Sequence, residues 1–289
     1  MKPNPRFLNQ PKNFWANVRI ISEKNGYTVR GKGQIKVPAA DEVVSTLSKL
    51  GLGTSHICNQ NGKLTPMGSL LIDYFKFRAD KLNREVEPNL MDANAARDLF
   101  DRKRDELKPS CPLPMNKQKG TKKAHAYLTG LVNMIVEANA QGFGCNYDPG
   151  ELTTVTRNDA PLRTLARRVD GCFPSTVNPV AVWEIKEYYY TTTFGSRVAD
   201  GVYESLLDGM ELEELRENEH IEVKHYLMVD AHYTWWSCGR SYLCRIFDML
   251  HMGYVDEVLF GKEVVERLPA LVGEWVRRAR KLGLKPEQA

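Results

Sequence analysis

The sequence predicts an α/β protein, with a mixed central sheet flanked by helices and a mainly helical domain in front of it. Three observations predict this. From residue 124 the hydrophobic period switches repeatedly between that of helices and that of strands, in the order α-β-β-β-α-β-α-β-α. Two strand-length apolar runs, Val180–Trp183 and Val223–Val229, suit strands buried on both faces. The first 108 residues carry mostly helical patterns, and a proline-rich, then basic stretch, Pro109–Lys123, reads as a linker to residues 124–289.

Asn13–Lys24 places Phe14, Val18 and Ile21 on one helical face. Gly26–Pro38 is a glycine-rich, basic connection with room for a short strand. Ala40–Leu50 is a second helix through Val43, Val44, Leu47 and Leu50, stopped by Gly51 and Gly53. Asn59-Gln60-Asn61-Gly62 turns a hairpin between His56–Cys58 and Lys63-Leu64. Thr65 then caps a helix that opens on Pro66 and carries Leu70, Leu71, Tyr74 and Phe75. Helix, helix, hairpin and helix in this order resembles a winged helix-turn-helix. The resemblance implies a DNA-binding domain over residues 1–108, with Asp41–Lys49 near the recognition helix and Lys63 on the wing. Lys49 and Lys63 are its candidate DNA contacts, and a small helical packing module is the alternative. Leu90–Leu107 reads as a solvated helix with a thin stripe of Leu90, Ala95 and Leu99.

Charge supports a polyanion partner. The chain has 289 residues and a formal net charge of +4. Residues 1–125 hold 23 Lys/Arg against 12 Asp/Glu, and the remainder holds 17 against 24. A basic N-terminal part suits nucleic acid, although solvated surface charge gives the same count. Six cysteines without a CxxC pair argue for reduced thiols in a cytoplasmic protein and against a zinc site. No apolar run approaches the roughly 18 residues of a membrane span, and the start lacks the apolar middle of a secretory signal.

In the C-terminal part, Ala124–Ala140 is an amphipathic helix with Leu128, Leu131, Val132 and Ile135 inward and Glu137 off that stripe. Glu151–Arg157 reads as the first strand of the sheet. Arg167–Phe173 and Val180–Lys186 form a hairpin whose turn is confined by Pro174 and Pro179. A hairpin centred on Val177 sets Asp170 opposite Glu184, with β-carbons roughly 5 Å apart. Side chains alternate along a strand, so Lys186 shares the face of Glu184, and Glu187 points the other way. Two carboxylates at that spacing repel unless a cation lies between them, and Mg²⁺ is the usual one.

Asp170, Glu184 and Lys186 resemble the motif of the PD-(D/E)XK nuclease superfamily, which includes most type II restriction endonucleases. The resemblance implies a restriction-endonuclease-like fold, two carboxylate ligands for Mg²⁺ and a catalytic lysine. A surface hairpin with a Lys–carboxylate contact is the plain alternative. A second set with the same gap, Asp208 with Glu222 and Lys224, fails on context, because Asp208 lies in a helical pattern and Glu222-Lys224 opens a strand. RecB-like members carry a Gln and a Tyr in the next helix; here Tyr203 is present and the Gln is missing. Val169 replaces the proline that often precedes the aspartate. These departures place the chain nearer the restriction enzymes.

Tyr188, Tyr190 and three threonines leave the strand, and Ser196 caps a helix to about Glu217 with Val198, Val202, Leu206 and Met210 inward. Tyr188, Tyr190 and Arg197 are further candidate DNA contacts. His232, Trp235 and Trp236 read as a loop after Val223–Val229, and His220, His225 and His232 lack ligand spacing. Arg240–Leu250, Tyr254–Phe260 and Val264–Leu282 close the chain as helix, strand and helix. The expectation is a Mg²⁺-dependent endonuclease acting on double-stranded DNA as a homodimer, with a methyltransferase of the same site as a further candidate partner. The alternatives are a phage-defence or repair nuclease with nonspecific or activated cleavage, and a non-catalytic DNA-binding regulator.

Overall fold

The computed structural model describes residues 1–8, 10–29, 31–116, 124–190 and 195–286. The N-terminal patterns form α1 (Lys12–Asn25), α2 (Ala40–Lys49) and α3 (Pro66–Lys81). Gly26–Pro38 supplies two short antiparallel strands, β1 (Thr28–Val29) and β2 (Gln34–Ile35). The expected hairpin reduces to one antiparallel bridge, Cys58 with Leu64. Thr65 accepts a hydrogen bond from the Gly68 N–H at 3.0 Å and so caps α3 behind Pro66.

α3 runs through a π-helical turn, Leu82–Val86, into the short α4 (Glu87–Asn89), and α5 (Ala93–Leu107) follows. α5 is no solvated arm. It buries Ala96, Leu99 and Phe100 against Tyr127, Leu131 and Met134 of α6 (Tyr127–Asn139), and Ala95 is exposed instead. Gly130 permits this approach, since a β-carbon there would lie 2.4 Å from the Phe100 ring. Linker residues 117–123 lie outside the described residues.

A five-stranded sheet follows. Its strands are β3 (Asn146–Tyr147), β6 (Gly171–Phe173), β7 (Ala181–Glu187), β8 (Lys224–Asp230) and β9 (Glu257–Phe260), in that spatial order. β3, β6 and β7 pair antiparallel, and β7, β8 and β9 pair parallel. The first sheet strand is therefore β3, not Glu151–Arg157. There, β4 (Thr154–Arg157) pairs instead with β5 (Ala160–Thr164) in a separate ribbon. Asn158 and Asp159 turn that ribbon with φ of 52° and 63°, the left-handed values a tight hairpin requires. The last strand also starts later than the expected Tyr254.

α7 (Ser196–Glu219) connects β7 to β8, and α8 (Arg240–His251) connects β8 to β9 before α9 (Glu263–Lys281). Sheet and helices thus follow α-β-β-β-α-β from α6 to β8, with an added α-β-α. One face of the sheet packs on α6 and α9, where Trp183 stacks on Trp275 at 5.3 Å. The indole of Trp183 lies across Gly171, where a β-carbon would stand 2.2 Å from the ring.

The other face joins the N-terminal helices in one core. Phe14, Val18, Tyr74 and Phe75 pack in the same cluster as Leu227, Val229, Phe247 and Leu250. A buried ion pair sits inside that junction. Arg78 donates twice to Asp248, at 3.0 Å each, and the Tyr74 hydroxyl donates to the same carboxylate at 2.6 Å.

Two expected loops or faces differ. Tyr233–Cys238 is a π-helical turn, with Trp235 and Trp236 buried in the core. Met210 of α7 points to solvent, because Val198, Val202, Ser205, Gly209 and Leu212 form the inward face. All six cysteines are free, and no described helix is long and apolar enough to cross a membrane.

Candidate active site

The hairpin register is set by its turn. Phe173 pairs with Ala181, Cys172 with Val182 and Gly171 with Trp183. The next position on each strand is Asp170 and Glu184, and the ladder opens there. The Asp170 N–H donates to Glu184 Oε1 at 3.2 Å as well as to the Trp183 carbonyl at 3.1 Å. The Ile185 N–H turns to Asp170 Oδ2 at 2.7 Å. At the point where β6 leaves β7 the Glu184 carboxylate thus meets the Asp170 backbone, while the Asp170 carboxylate turns to the Ile185 backbone.

Lys186 and Glu184 share the face of β7 beneath α7. Their charged ends touch at 2.7 Å, and both side chains are buried. α7 can approach because Gly201 lacks a β-carbon, which would meet Lys186 Cδ at 3.1 Å. Trp235 fixes the same strand end by donating to the Lys186 carbonyl at 3.2 Å.

Three residues that sequence reasoning passed over complete this cluster. Arg167 bridges Glu184 Oε1 at 2.8 Å and Asp208 Oδ2 at 2.7 Å, and reaches Glu204 at 3.4 Å. Glu204 also lies 3.0 Å from the Lys186 ammonium. Asp208 belongs to the second motif, which sequence context excludes. It does lie in a helix, but on the inward face, between Ser205 and Leu212 and beside Gly209. A carboxylate among small residues on an apolar helix face was the available signal.

Charge states follow from these contacts. Burial opposes ionisation of Glu184, but Lys186 and Arg167 outweigh it and hold the carboxyl below its usual range. Burial also opposes the charge on Lys186, and Glu184 and Asp170 overcome it, so the ammonium is held well above its ordinary value. Asp170 is pushed up to about 6 by burial and by repulsion from Glu184. Asp208 is pushed up to about 7 for the same two reasons.

On the opposite side, half-buried Asp170 lines a cavity of about 190 Å³ with Asp148, Ile185, Glu187, Asn116 and Thr129. Glu187 accepts hydrogen bonds from the Leu128 and Thr129 N–H groups at 2.6 and 3.1 Å, at the start of α6. Burial still pushes its carboxyl up to about 8. Glu137 has a structural role, accepting from the Ser110 N–H at 3.0 Å.

The candidate DNA contacts occupy two regions. Tyr188, Tyr190 and Arg197 lie just beyond β7: the Tyr188 hydroxyl donates to the Arg197 carbonyl at 3.2 Å, and Tyr190 and Arg197 are exposed. The threonines at 191–193 fall outside the described residues. Lys49 at the end of α2 and Lys63 after the Asn59–Gly62 turn are exposed in the N-terminal part. Glu222 and Lys224 pair with each other at 2.8 Å at the start of β8, and their other ion-pair contacts are Arg278 and Asp256.

The donor set fits a divalent cation on three grounds. Asp170, Glu184, Glu204 and Asp208 outnumber the cations Arg167 and Lys186. Asp208 Oδ1 is buried without a hydrogen-bond partner. Repulsion from Glu184 adds to burial in raising the Asp170 and Asp208 carboxyls, and a cation beside them would relieve that repulsion. Among the described residues no three acidic, His or Cys side chains form a ready-made cage. Mg²⁺ does not require one, as it commonly takes one or two carboxylates and completes its shell with water and substrate oxygens.

Residues 91–275 match the model of a family described as a domain of unknown function (DUF7687), and residues 1–85 match a second such description (DUF7690). No curated protein and no solved structure matches the chain.

Proposed function

We propose that this chain, which belongs to the DUF7687 family, is a Mg²⁺-dependent endonuclease that hydrolyses phosphodiester bonds of double-stranded DNA, as type II restriction enzymes do. The observation that carries the reading is the opened end of the β6–β7 hairpin. Glu184 accepts there from the Asp170 N–H and from the Lys186 ammonium, and the Asp170 carboxylate lies next to it on the Ile185 N–H. The α-β-β-β-α-β order around it agrees with the fold that the sequence motif implies.

Asp170 and Glu184 would hold the cation, which supplies a polarised phosphoryl oxygen and a more acidic bound water. Lys186 stays protonated across the working range, so it acts as a fixed positive charge and not as a base. Its ammonium orients the attacking water or offsets the charge that develops on the phosphorane. Arg167 positions Glu184 and keeps it ionised. Tyr188, Tyr190 and Arg197 flank the strand exit where the DNA backbone would run, and Lys49 and Lys63 would add contacts from the winged-helix-like part.

A second reading, an activated defence or repair nuclease, draws on one feature. Both Glu184 oxygens are engaged by Arg167 and Lys186, an arrangement suited to a site that opens on a signal. Lys186→Ala tests the main reading. Cleavage of plasmid DNA is expected to vanish while DNA binding survives, and full activity in that variant refutes it. Discrete fragments favour restriction; smearing, or cutting only with an activator, favours the second reading.

A further inference from the structure

Half-buried Arg245 of α8 is held on several sides by tyrosines. Its guanidinium carbon lies 5.4 Å from the ring centroid of Tyr27 and 4.9 Å from that of Tyr242. Nε donates to the Tyr27 hydroxyl at 3.4 Å, and Nη1 donates to the Tyr203 hydroxyl at 3.0 Å. These neutral contacts fix the orientation of the group and leave its charge unpaired. Among the described residues no carboxylate forms an ion pair with Arg245, and Nη2 makes no hydrogen bond. A guanidinium is a rigid fork of N–H donors that matches phosphate oxygens two at a time, and here that fork is preset and partly unused.

Arg245 lines a cavity of about 560 Å³ between α1, α7 and α8. That size falls within the ~300–1,000 Å³ of small-molecule sites. Ile20, Val202, Leu206, Met249 and Met252 supply apolar wall. Four charged side chains also line it. Asp248 is taken by Arg78, and Glu23 lies 3.1 Å from Lys24. Arg19 has the Met252 sulfur at 3.5 Å, a weak acceptor, and no ion pair among the described residues. The charge left over in the cavity is that of two arginines.

The geometry points to this cavity as a binding site for a nucleoside phosphate, its base on the apolar wall and its phosphate on Arg245 and Arg19. The anion follows from the unpaired fork and the second arginine beside it. The flat body follows from the wall. The thioethers of Met249 and Met252 suit an aromatic partner. The Tyr203 ring lines the cavity and is 52% exposed, so it has a face on which a base can stack. None of Asp170, Glu184, Lys186 and Arg167 lines the cavity, so the site is separate from the catalytic cluster. The two share α7: Tyr203 precedes Glu204, whose carboxylate touches Lys186, and the ligand bears on the helix that covers that cluster.

The site stands without the nuclease reading, and only its effect on cleavage rests on that reading. The full chain is titrated calorimetrically, in chelator, with AMP, GMP, CMP and UMP in turn. The tightest is expected to bind with a dissociation constant of the order of 10 µM, the efficiency usual for a ligand of that size. Its nucleoside, and inorganic phosphate, should each bind at least about tenfold more weakly. Arg245→Gln removes the charge and Ile20→Trp fills the cavity. Each should weaken the nucleotide at least about tenfold, with circular dichroism confirming that both variants are folded. Lys186→Ala should bind it as the native protein does. No binding of any of the four, binding lost in Lys186→Ala, or binding undiminished in both cavity variants overturns the assignment. So does binding of decanoate, an anion with an aliphatic body, in place of the nucleotides. If plasmid cleavage exists, the saturating nucleotide should change its rate about fivefold or more in the native protein and leave Arg245→Gln unaffected. Binding with no change in rate overturns the coupling through α7, and binding with no cleavage under any metal counts against the nuclease reading alone.

Discussion

Asp248→Leu removes the carboxylate that holds the N-terminal helices to α8. Arg78 is 1% exposed and would keep its charge, left with the Ser22 hydroxyl at 3.1 Å and the rings of Tyr27, Tyr74 and Phe75. The Tyr74 hydroxyl would lose its acceptor as well. Breaking a buried pair by deleting one member costs about 3–5 kcal/mol, because the other charge stays buried. At about 2–4 °C per kcal/mol, melting should fall by roughly 6–20 °C. Arg78→Met with Asp248→Leu replaces both charges by apolar groups and should recover most of the loss. Urea denaturation of the single and double variants measures this as a cycle. Tryptophan fluorescence and circular dichroism should also report one coincident transition, since one core spans both parts. A loss under about 1 kcal/mol in Asp248→Leu, or additive losses in the double variant, would refute the account.

Other outcomes follow from the same contacts. Glu187 has a folded-state value of about 8, above its ordinary carboxyl value, so its contribution is full at low pH and fades as pH rises through 8. Melting temperatures should fall between pH 5.5 and 8.5, and Glu187→Gln, which keeps an acceptor for the α6 N–H groups, should flatten that slope; an unchanged slope would contradict it. Gly130→Val should destabilise by about 1–3 kcal/mol in urea, because the new side chain meets Phe100. Arg167→Gln should lower the cleavage rate by roughly 10–100-fold, with DNA affinity unchanged, since loss of a positioning contact acts on the rate. Equal cleavage rates would remove Arg167 from the site.

Much of the sheet was legible because burial writes itself into composition. Val180–Trp183 and the run at Val223–Val229 can be little else than interior strands, and two prolines fix the turn that sets the hairpin register. The first strand leaves no pattern because β3 is two residues long, too short for a period, and the signal for the β4–β5 ribbon is the Asn158-Asp159 turn alone. Within the site, local alternation along β7 places Glu184 and Lys186 together. The contributions of Arg167, Glu204 and Asp208 depend on how α7 lies across the sheet, and pattern alone does not specify that packing. A stripe read through Val202 and Leu206 puts Met210 inward, whereas the small residues Gly201, Ser205 and Gly209 define the buried face.

The most direct measurement is incubation of plasmid DNA with the native protein in Mg²⁺ and, in parallel, in chelator. The account predicts strand breaks in Mg²⁺, none in chelator, and none with Asp170→Asn or Glu184→Gln in either. Intact DNA under every divalent metal, or cutting that persists in chelator, would contradict it.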